Sequence, residues 1–210
     1  MTIAFASMLD DVLPDVAGCS TALATNAIRN TVIELYKKTQ IKTTNASPIT
    51  VIPTVSVYAL QVAANLQIVG VKNVYLDGNK LNPVTNLDLQ NSSVLVGNLA
   101  GDVLGYQVDN GSSIHLYRNP KKTGILDVLV AVAPNTQAVE MDSDIYYLYS
   151  EAIAAGAKAR LMSIPKKPFS DSATAMMYRQ QFSEAVRDAH WRALKGNTLS
   201  EIKVQFRTRK

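Results

Sequence analysis

The sequence predicts an α+β fold, because helical and strand periodicities occupy separate parts of the chain. Residues 1–40 and 142–196 carry apolar side chains at helical spacing, whereas 41–140 alternate apolar and polar residues around Asp-Gly and Asn-Gly turn pairs. Such turns join antiparallel strands, which argues against a doubly wound parallel sheet. The expected architecture is a helical bundle, with two N-terminal and two long C-terminal helices, an inserted antiparallel β block and an extended C-terminal tail. Residues 1–196 then form one domain and 197–210 an arm.

A short helix is expected over about 5–13, stopped near Pro14. A second begins after Ser20, whose hydroxyl suits an N-cap. Ala24, Ile28, Val32 and Leu35 form its apolar stripe, and Lys37 and Lys38 sit in the last turn, where cations favour the dipole's negative end. In the central block, "PITVIPTVSVYAL" is broken by Pro48 and Pro53, which restricts any strand to a short or edge one. "LQIVGVKNVYLDGNKL" and "GYQVDNGSSIHLY" read as hairpins turning at Asp77-Gly78 and Asn110-Gly111. "GILDVLVAVAP" is a further strand, and "TNLDLQ" is either a short helix or a loop.

Helical character returns at "MDSDIYYLYSEAIAAGAKARLMSIP", with Asp142 or Ser143 as N-cap and Pro165 as the stop. Ile145, Leu148, Ala152, Ala155, Ala159 and Met162 make one stripe, and Gly156 lies beside it. These small side chains invite close approach of a second helix. The expected partner starts at Ser170 or Ser172, ends at Gly196 and faces the core with Ala175, Tyr178, Phe182, Ala185 and Ala189. Phe169, just before the Ser170 cap, is placed to staple the connection onto that helix.

Composition narrows the function. The 210 residues are 47% hydrophobic, enough for a core, and the net charge is +4. Charge is uneven: residues 151–210 carry 12 Lys and Arg against 5 Asp and Glu, and residues 1–150 carry 9 against 12. The positive end suits nucleic acid or an acidic protein surface. A single cysteine, Cys19, rules out an intrachain disulfide and fits assembly in a reducing cytoplasm. "MTIAFASMLDDVLPD" has no basic n-region, so no signal peptide is expected, and no apolar run approaches the ~20 residues of a membrane span.

The chemical inventory is thin. His115 and His190 have no HxH, HExxH or CxxC neighbourhood, so no metal site is expected. "GNLAG" at 97–101 is not followed by the Lys-Ser/Thr of a phosphate loop, and Asp142 and Asp144 read as helix-start acids. An enzyme would have to pair Cys19 with a histidine. No cofactor and no catalytic residue is assigned. The exposed pairs Lys121-Lys122 and Lys166-Lys167 are candidate DNA or partner contacts. An interaction protein is the better expectation.

Two blocks carry a resemblance. "VLPDVAGCSTALATNAIRNTVIELYKKTQ" supplies Leu13, Pro14, Asp15, Val16, Gly18 and Cys19, then Ala27, Ile28, Arg29, Ile33 and Glu34. "EAIAAGAKARLMSIPKKPFSDSATAMMYRQQFSEAVRDA" supplies Ala152, Ile153, Ala154, Gly156, Ala157, Ala159, Arg160, Leu161, Pro165, Lys167, Pro168, Phe169 and Ser170, followed by Tyr178 and Phe182. Together they resemble the head-to-tail adaptor (neck, or connector) proteins of short-tailed bacteriophages, of the tail-tube gatekeeper type. Phe169 stands where that family often has Trp, and Ile41-Lys42 where it often has an aromatic residue. The resemblance implies a virion ring of about twelve copies, assembled in the host cytoplasm and placed between the portal protein and the tail nozzle or tube. Tail fibre is a further implied neighbour, passing DNA a non-specific contact, and no membrane is involved. A tail terminator, or another ring at the end of a tail tube, is the alternative.

The terminal "SEIKVQFRTRK" alternates Ile202, Val204 and Phe206 with polar and basic residues. Ordering its backbone costs about 1–2 kcal/mol per residue, and its apolar side chains return only ~1.5–3 kcal/mol each on full burial. Supplied to a partner as a strand, it would gain backbone hydrogen bonds and present Arg207, Arg209 and Lys210 to acidic groups. The alternation predicts a docking arm; the resemblance alone implies that portal is what it docks on.

Overall fold

The structure, a computed structural model, describes residues 1–85, 100–109 and 111–196. Most of "TNLDLQ", most of "GNLAG", Asn110 and the arm 197–210 lie outside the described residues. The fold is mixed α+β. It opens with a strand, β1 (Thr2–Ala4), a 3-10 turn (Phe5–Met8), α1 (Leu9–Val12), a second 3-10 turn (Leu13–Asp15) and α2 (Thr21–Thr39). Strands β2 (Thr43–Asn45), β3 (Ile49–Val51), β4 (Val57–Ala59), β5 (Leu66–Leu76), β6 (Asn79–Lys80) and β7 (Asn82–Pro83) follow. Next come β8 (Ala100–Gly101), β9 (Gly105–Asp109), β10 (Ser113–Tyr117), β11 (Asn119–Pro120), β12 (Gly124–Pro134) and β13 (Glu140–Asp142). Two long helices close the described chain, α3 (Ser143–Met162) and α4 (Ser172–Leu194). The chain divides into two compact units: Met1–Ile41 with the residues from Thr136 onward, and Lys42–Asn135.

In the first unit, α2 buries Ala24, Ile28, Val32 and Leu35 as its spacing requires. Ser20 caps it, its Oγ accepting the Leu23 N–H at 3.3 Å. The first segment is not a regular helix over 5–13 but a 3-10 turn, one α turn and a second 3-10 turn. Pro14 lies in that last turn, where its ring cannot continue an α-helical ladder. β1 pairs antiparallel with β13, Thr2 opposite Asp142, and this joins the start of the chain to the entrance of α3.

The three long helices of the described residues meet at one glycine. A Cβ added to Gly156 would lie 2.5 Å from Thr31 Cγ2 on α2 and 2.9 Å from the Phe182 ring on α4. Both neighbours are held: Thr31 is fully buried with its hydroxyl donating to the Ala27 carbonyl at 2.8 Å, and Phe182 is buried. Glu34 on α2 closes the rim of this contact. Its carboxylate accepts from Lys38 at 2.6 Å, from Arg179 on α4 at 3.2 Å and from Arg160 on α3. Burial alone would raise the Glu34 pKa, but the Lys38 bond, the Arg179 and Lys38 charges and the Arg160 bond together hold it below its ordinary value of 4.5. Asp15, by contrast an exposed acid, accepts from Lys158 at 2.6 Å and from the Tyr178 hydroxyl at 3.1 Å.

Three details of α3 and α4 differ from the spacing. Tyr149 has non-helical φ/ψ (−135°, 15°), so the helical phase shifts there. Tyr149 is buried, and Leu148, expected in the core stripe, is 55% exposed. Asp142 stands at the N-cap of α3, but its side chain makes no cap bond and instead accepts from the Tyr36 hydroxyl at 3.2 Å. The cap of α4 is Asp171 rather than Ser170 or Ser172; its Oδ1 accepts from the Ala173 and Thr174 N–H groups at 3.0 and 3.1 Å. Ser170 is engaged in the connecting loop, accepting the Lys167 N–H at 2.9 Å and donating to the Ile164 carbonyl. On α4, Ala175, Phe182, Val186 and Ala189 are buried, while Tyr178 and Ala185 are half-buried at its margins.

In the second unit, β12 is the central strand of a five-stranded sheet. It pairs antiparallel with β5 along its length, from Leu126 opposite Leu76 to Pro134 opposite Leu66, with irregularities after Leu129 and Ala131. Its other edge takes β3 and then β2. Asp77 and Gly78, both at positive φ, form the tight turn from β5 to β6, as the Asp-Gly pair predicts. A second sheet runs β4-β10-β9-β7, mostly antiparallel, with β7 parallel to β9. One hydrophobic core joins the sheets, with Tyr58, Tyr106, Ile114 and Leu116 from one and Val74, Leu126, Val128 and Val130 from the other. The Pro-broken segment gives two three-residue strands, as expected. The Tyr58 hydroxyl fixes the loop between them, accepting the Ile52 N–H at 3.0 Å and donating to the Val55 carbonyl at 2.8 Å.

Gly156→Ala should destabilise the first unit even though alanine is the better helix former by about 1 kcal/mol. The clash with Thr31 and Phe182 outweighs that gain, for a net loss on the order of 1–2 kcal/mol and a melting midpoint about 2–8 °C lower by far-UV circular dichroism. The Glu34 cluster has its own signature. Because the folded-state pKa is lowered, its stabilisation is complete above 4.5 and is lost as pH falls through the lowered value. Acid titration of the midpoint should therefore fall more gently in Glu34→Gln than in wild type, while at neutral pH the variant loses about 1–2 kcal/mol, discounted for the exposure of its arginine partners.

Candidate interaction site

The two sequence blocks that carried the resemblance meet in the first unit, and the contacts between them explain several motif residues. Glu34 from the first block binds Arg160 from the second, and Asp15 binds Tyr178. Gly156 packs on Phe182 of its own block and on Thr31 of the other. Arg29 donates from Nε to the Ala138 carbonyl at 2.9 Å and from its guanidinium to Asn26 at 3.0 Å, which ties α2 to the segment preceding β13. These residues hold the helices together.

Cys19 is half-buried, with Sγ 3.5 Å from the Ser20 carbonyl oxygen. Burial pushes the thiol's pKa up, which disfavours the thiolate a nucleophile needs. His115 lies on β10 of the second unit, its ring 4.7 Å from that of Tyr117. His190 lies on α4, where its Nδ1 is buried without a hydrogen-bond partner among the described residues. Among those residues no three His, Cys, Asp or Glu side chains converge as metal ligands. No helix of the described chain is long and apolar enough to cross a membrane.

The candidate lysines fall on two units. Lys121 and Lys122 are exposed on the turn between β11 and β12, beside a depression of roughly 320 Å³ that Asp77 and Asp102 also line. The surface there is of mixed sign. Lys166 and Lys167 are exposed on the loop from α3 to α4, with Lys166 at φ +60°. The loop's inner bonds, from the Lys167 N–H to Ser170 and from the Ser170 N–H to the Lys167 carbonyl, form a compact turn with both ammonium groups outside. The arm residues Ile202, Val204, Phe206, Arg207, Arg209 and Lys210 lie outside the described residues.

Two surfaces escaped the sequence reading. Between the C-terminal half of α3 and the start of α4 is a cleft of about 580 Å³, lined by Arg160, Ser163, Ser172, Met176 and Arg179. Met176 and Met177 are 75% and 73% exposed at its edge and just beyond. Adaptable thioether side chains on an open helix face suit a protein partner. At the opposite ends of the same helices lies a groove of about 460 Å³, bordered by Tyr147, Leu148, Glu151, Asp188 and Arg192. Its signal in the sequence was the excess of aromatic residues in "DIYYLY", which a single buried stripe cannot absorb.

A comparison with curated proteins gives no match. A family model described as SU10 adaptor protein matches residues 3–202, which cover most of the first unit, all of the second and the three long helices of the described residues. A match of that extent, on a fold whose motif residues are packing and clamping groups, settles the family: the chain belongs to the SU10 adaptor protein family, phage structural proteins.

Proposed function

We propose that this chain forms a ring adaptor in the virion, between the portal and the tail nozzle, through which the genome passes. The observation that carries the reading is the family match over residues 3–202. The helix-dominated unit would make the ring. A head-to-tail ring requires two different faces of one subunit to complement each other, and a stiff subunit holds such faces in register. The close packing at Gly156 and the Glu34 clamp supply that stiffness. In this reading residues 1–196 form the adaptor body and 197–210 the arm, with about twelve copies in the ring. The exposed methionines of α4 suit a subunit contact. Lys121, Lys122, Lys166 and Lys167 are placed outside their folds where phosphate or an acidic partner can reach them. The arm would reach the portal through Ile202, Val204 and Phe206, with Arg207, Arg209 and Lys210 opposite acidic groups. Modest arms repeated around a ring combine by avidity. The β unit would face the nozzle, a fibre or the neighbouring subunit.

Sedimentation of the purified chain with its portal tests this. The expected product is one complex with about as many adaptor as portal subunits. A chain that stays free, or that binds tail-tube protein and ignores portal, contradicts the reading. Deletion of residues 200–210 should weaken the complex at least about tenfold, as loss of a multivalent contact does, while the melting midpoint of the isolated chain stays within a few degrees.

A further inference from the structure

The groove at the N-terminal end of α3 and the C-terminal end of α4 is incompletely filled. Tyr147 and Leu148 stand 74% and 55% exposed on its border. Below them the chain is distorted at Tyr149, where α3 leaves helical geometry. The Tyr149 hydroxyl is buried yet has no hydrogen-bond partner among the described residues. Arg192 lies over the Tyr149 ring, 6.0 Å from its centroid. Glu151 and Asp188, on the two walls, form no ion pair among the described residues. The groove thus combines exposed apolar surface, two acids that form no ion pair among the described residues and one unsatisfied buried hydroxyl.

We propose that the arm of the same chain occupies this groove in the free subunit. Three observations select that occupant. The first is where the arm begins: Gly196 follows α4 at φ +63°, a left-handed cap at the same end of α4 as the groove. The second is reach. Fourteen residues follow Gly196 and can span roughly 45 Å when extended, whereas the groove runs along α4 from Gln181 to Arg192, roughly 16 Å of helix. The third is chemistry. Ile202, Val204 and Phe206 match the aliphatic and aromatic border, and Lys203, Arg207 and Arg209 match Glu151 and Asp188. The stowed arm withholds the docking strand until a partner competes for it, and this consequence rests on the adaptor reading; the stowed position does not.

The test uses the full-length chain alone, so its outcome is independent of whether portal binds. A nitroxide is attached at Thr208→Cys in a Cys19→Ser background, and backbone amide signals are recorded. The proposal expects signals from 147–152 and 181–192 to lose most of their intensity, with recovery when the nitroxide is reduced. Mixing nitroxide-bearing unlabelled chain with isotope-labelled chain lacking it should leave those signals intact, because the contact is within one subunit. Glu151→Lys with Asp188→Lys should restore most of the lost intensity. Broadening only between chains, broadening elsewhere, no broadening at all, or indifference to the charge reversal would each overturn the proposal.

Discussion

The helical unit depends on a distance that only glycine permits. At residue 156 the α3 backbone lies so close to α2 and α4 that the space of a methyl group is already taken by Thr31 and Phe182. Close backbone approach increases contact between neighbouring helices, and dispersion summed over many atoms stabilises such an interface more than any single contact. It also fixes what can surround it. Residues beside Gly156 must be small, hence Ala152, Ala155 and Ala159, and the polar groups at the rim must be satisfied where the helices converge. Glu34 meets that requirement by taking cations from its own helix, from α3 and from α4.

This arrangement separates stiffness from recognition. Thr31, Gly156 and Phe182 are turned inward and make no surface a partner can read, while the arginines of the Glu34 clamp also line the cleft between α3 and α4. The side chains left outside are of a different kind: methionines on α4, tyrosine and leucine at the start of α3, and lysine pairs on loops. A subunit meant to assemble would have this division, because contacts that form late must not be needed for folding early. The shift in helical phase at Tyr149 shows the two demands meeting in one turn, since it buries one aromatic ring and exposes its two predecessors.

Much of this was legible in the sequence, and the remainder failed for definable reasons. The α2 stripe, the Ser20 cap and the Asp-Gly turn are local, and their chemistry acts within a few residues. The partners of β12 were not legible: β5 precedes it by about fifty residues, and register between distant strands is fixed by packing rather than by either strand's own pattern. Leu148 misled because helical spacing presumes an unbroken helix, and nothing in "YYLY" announces where the break falls. Asp171 displaced the serines as cap because one carboxylate oxygen accepts two N–H groups while the other takes the Thr174 hydroxyl. The Glu34 cluster joins residues 126 and 145 positions apart. Motif resemblance marked Glu34 and Arg160 without giving their reason; the contact between them is the reason.

The chain belongs to a phage adaptor family, and its proposed place is as a ring subunit at the junction of head and tail. A cryo-electron microscopic reconstruction of the virion neck tests that most directly. The account predicts a ring of this chain directly below the portal, with α2, α3 and α4 in the ring wall and the segment 202–207 extended against portal. A reconstruction that places the chain at the far end of the tail tube, or finds the portal joined to the nozzle without it, would contradict the account.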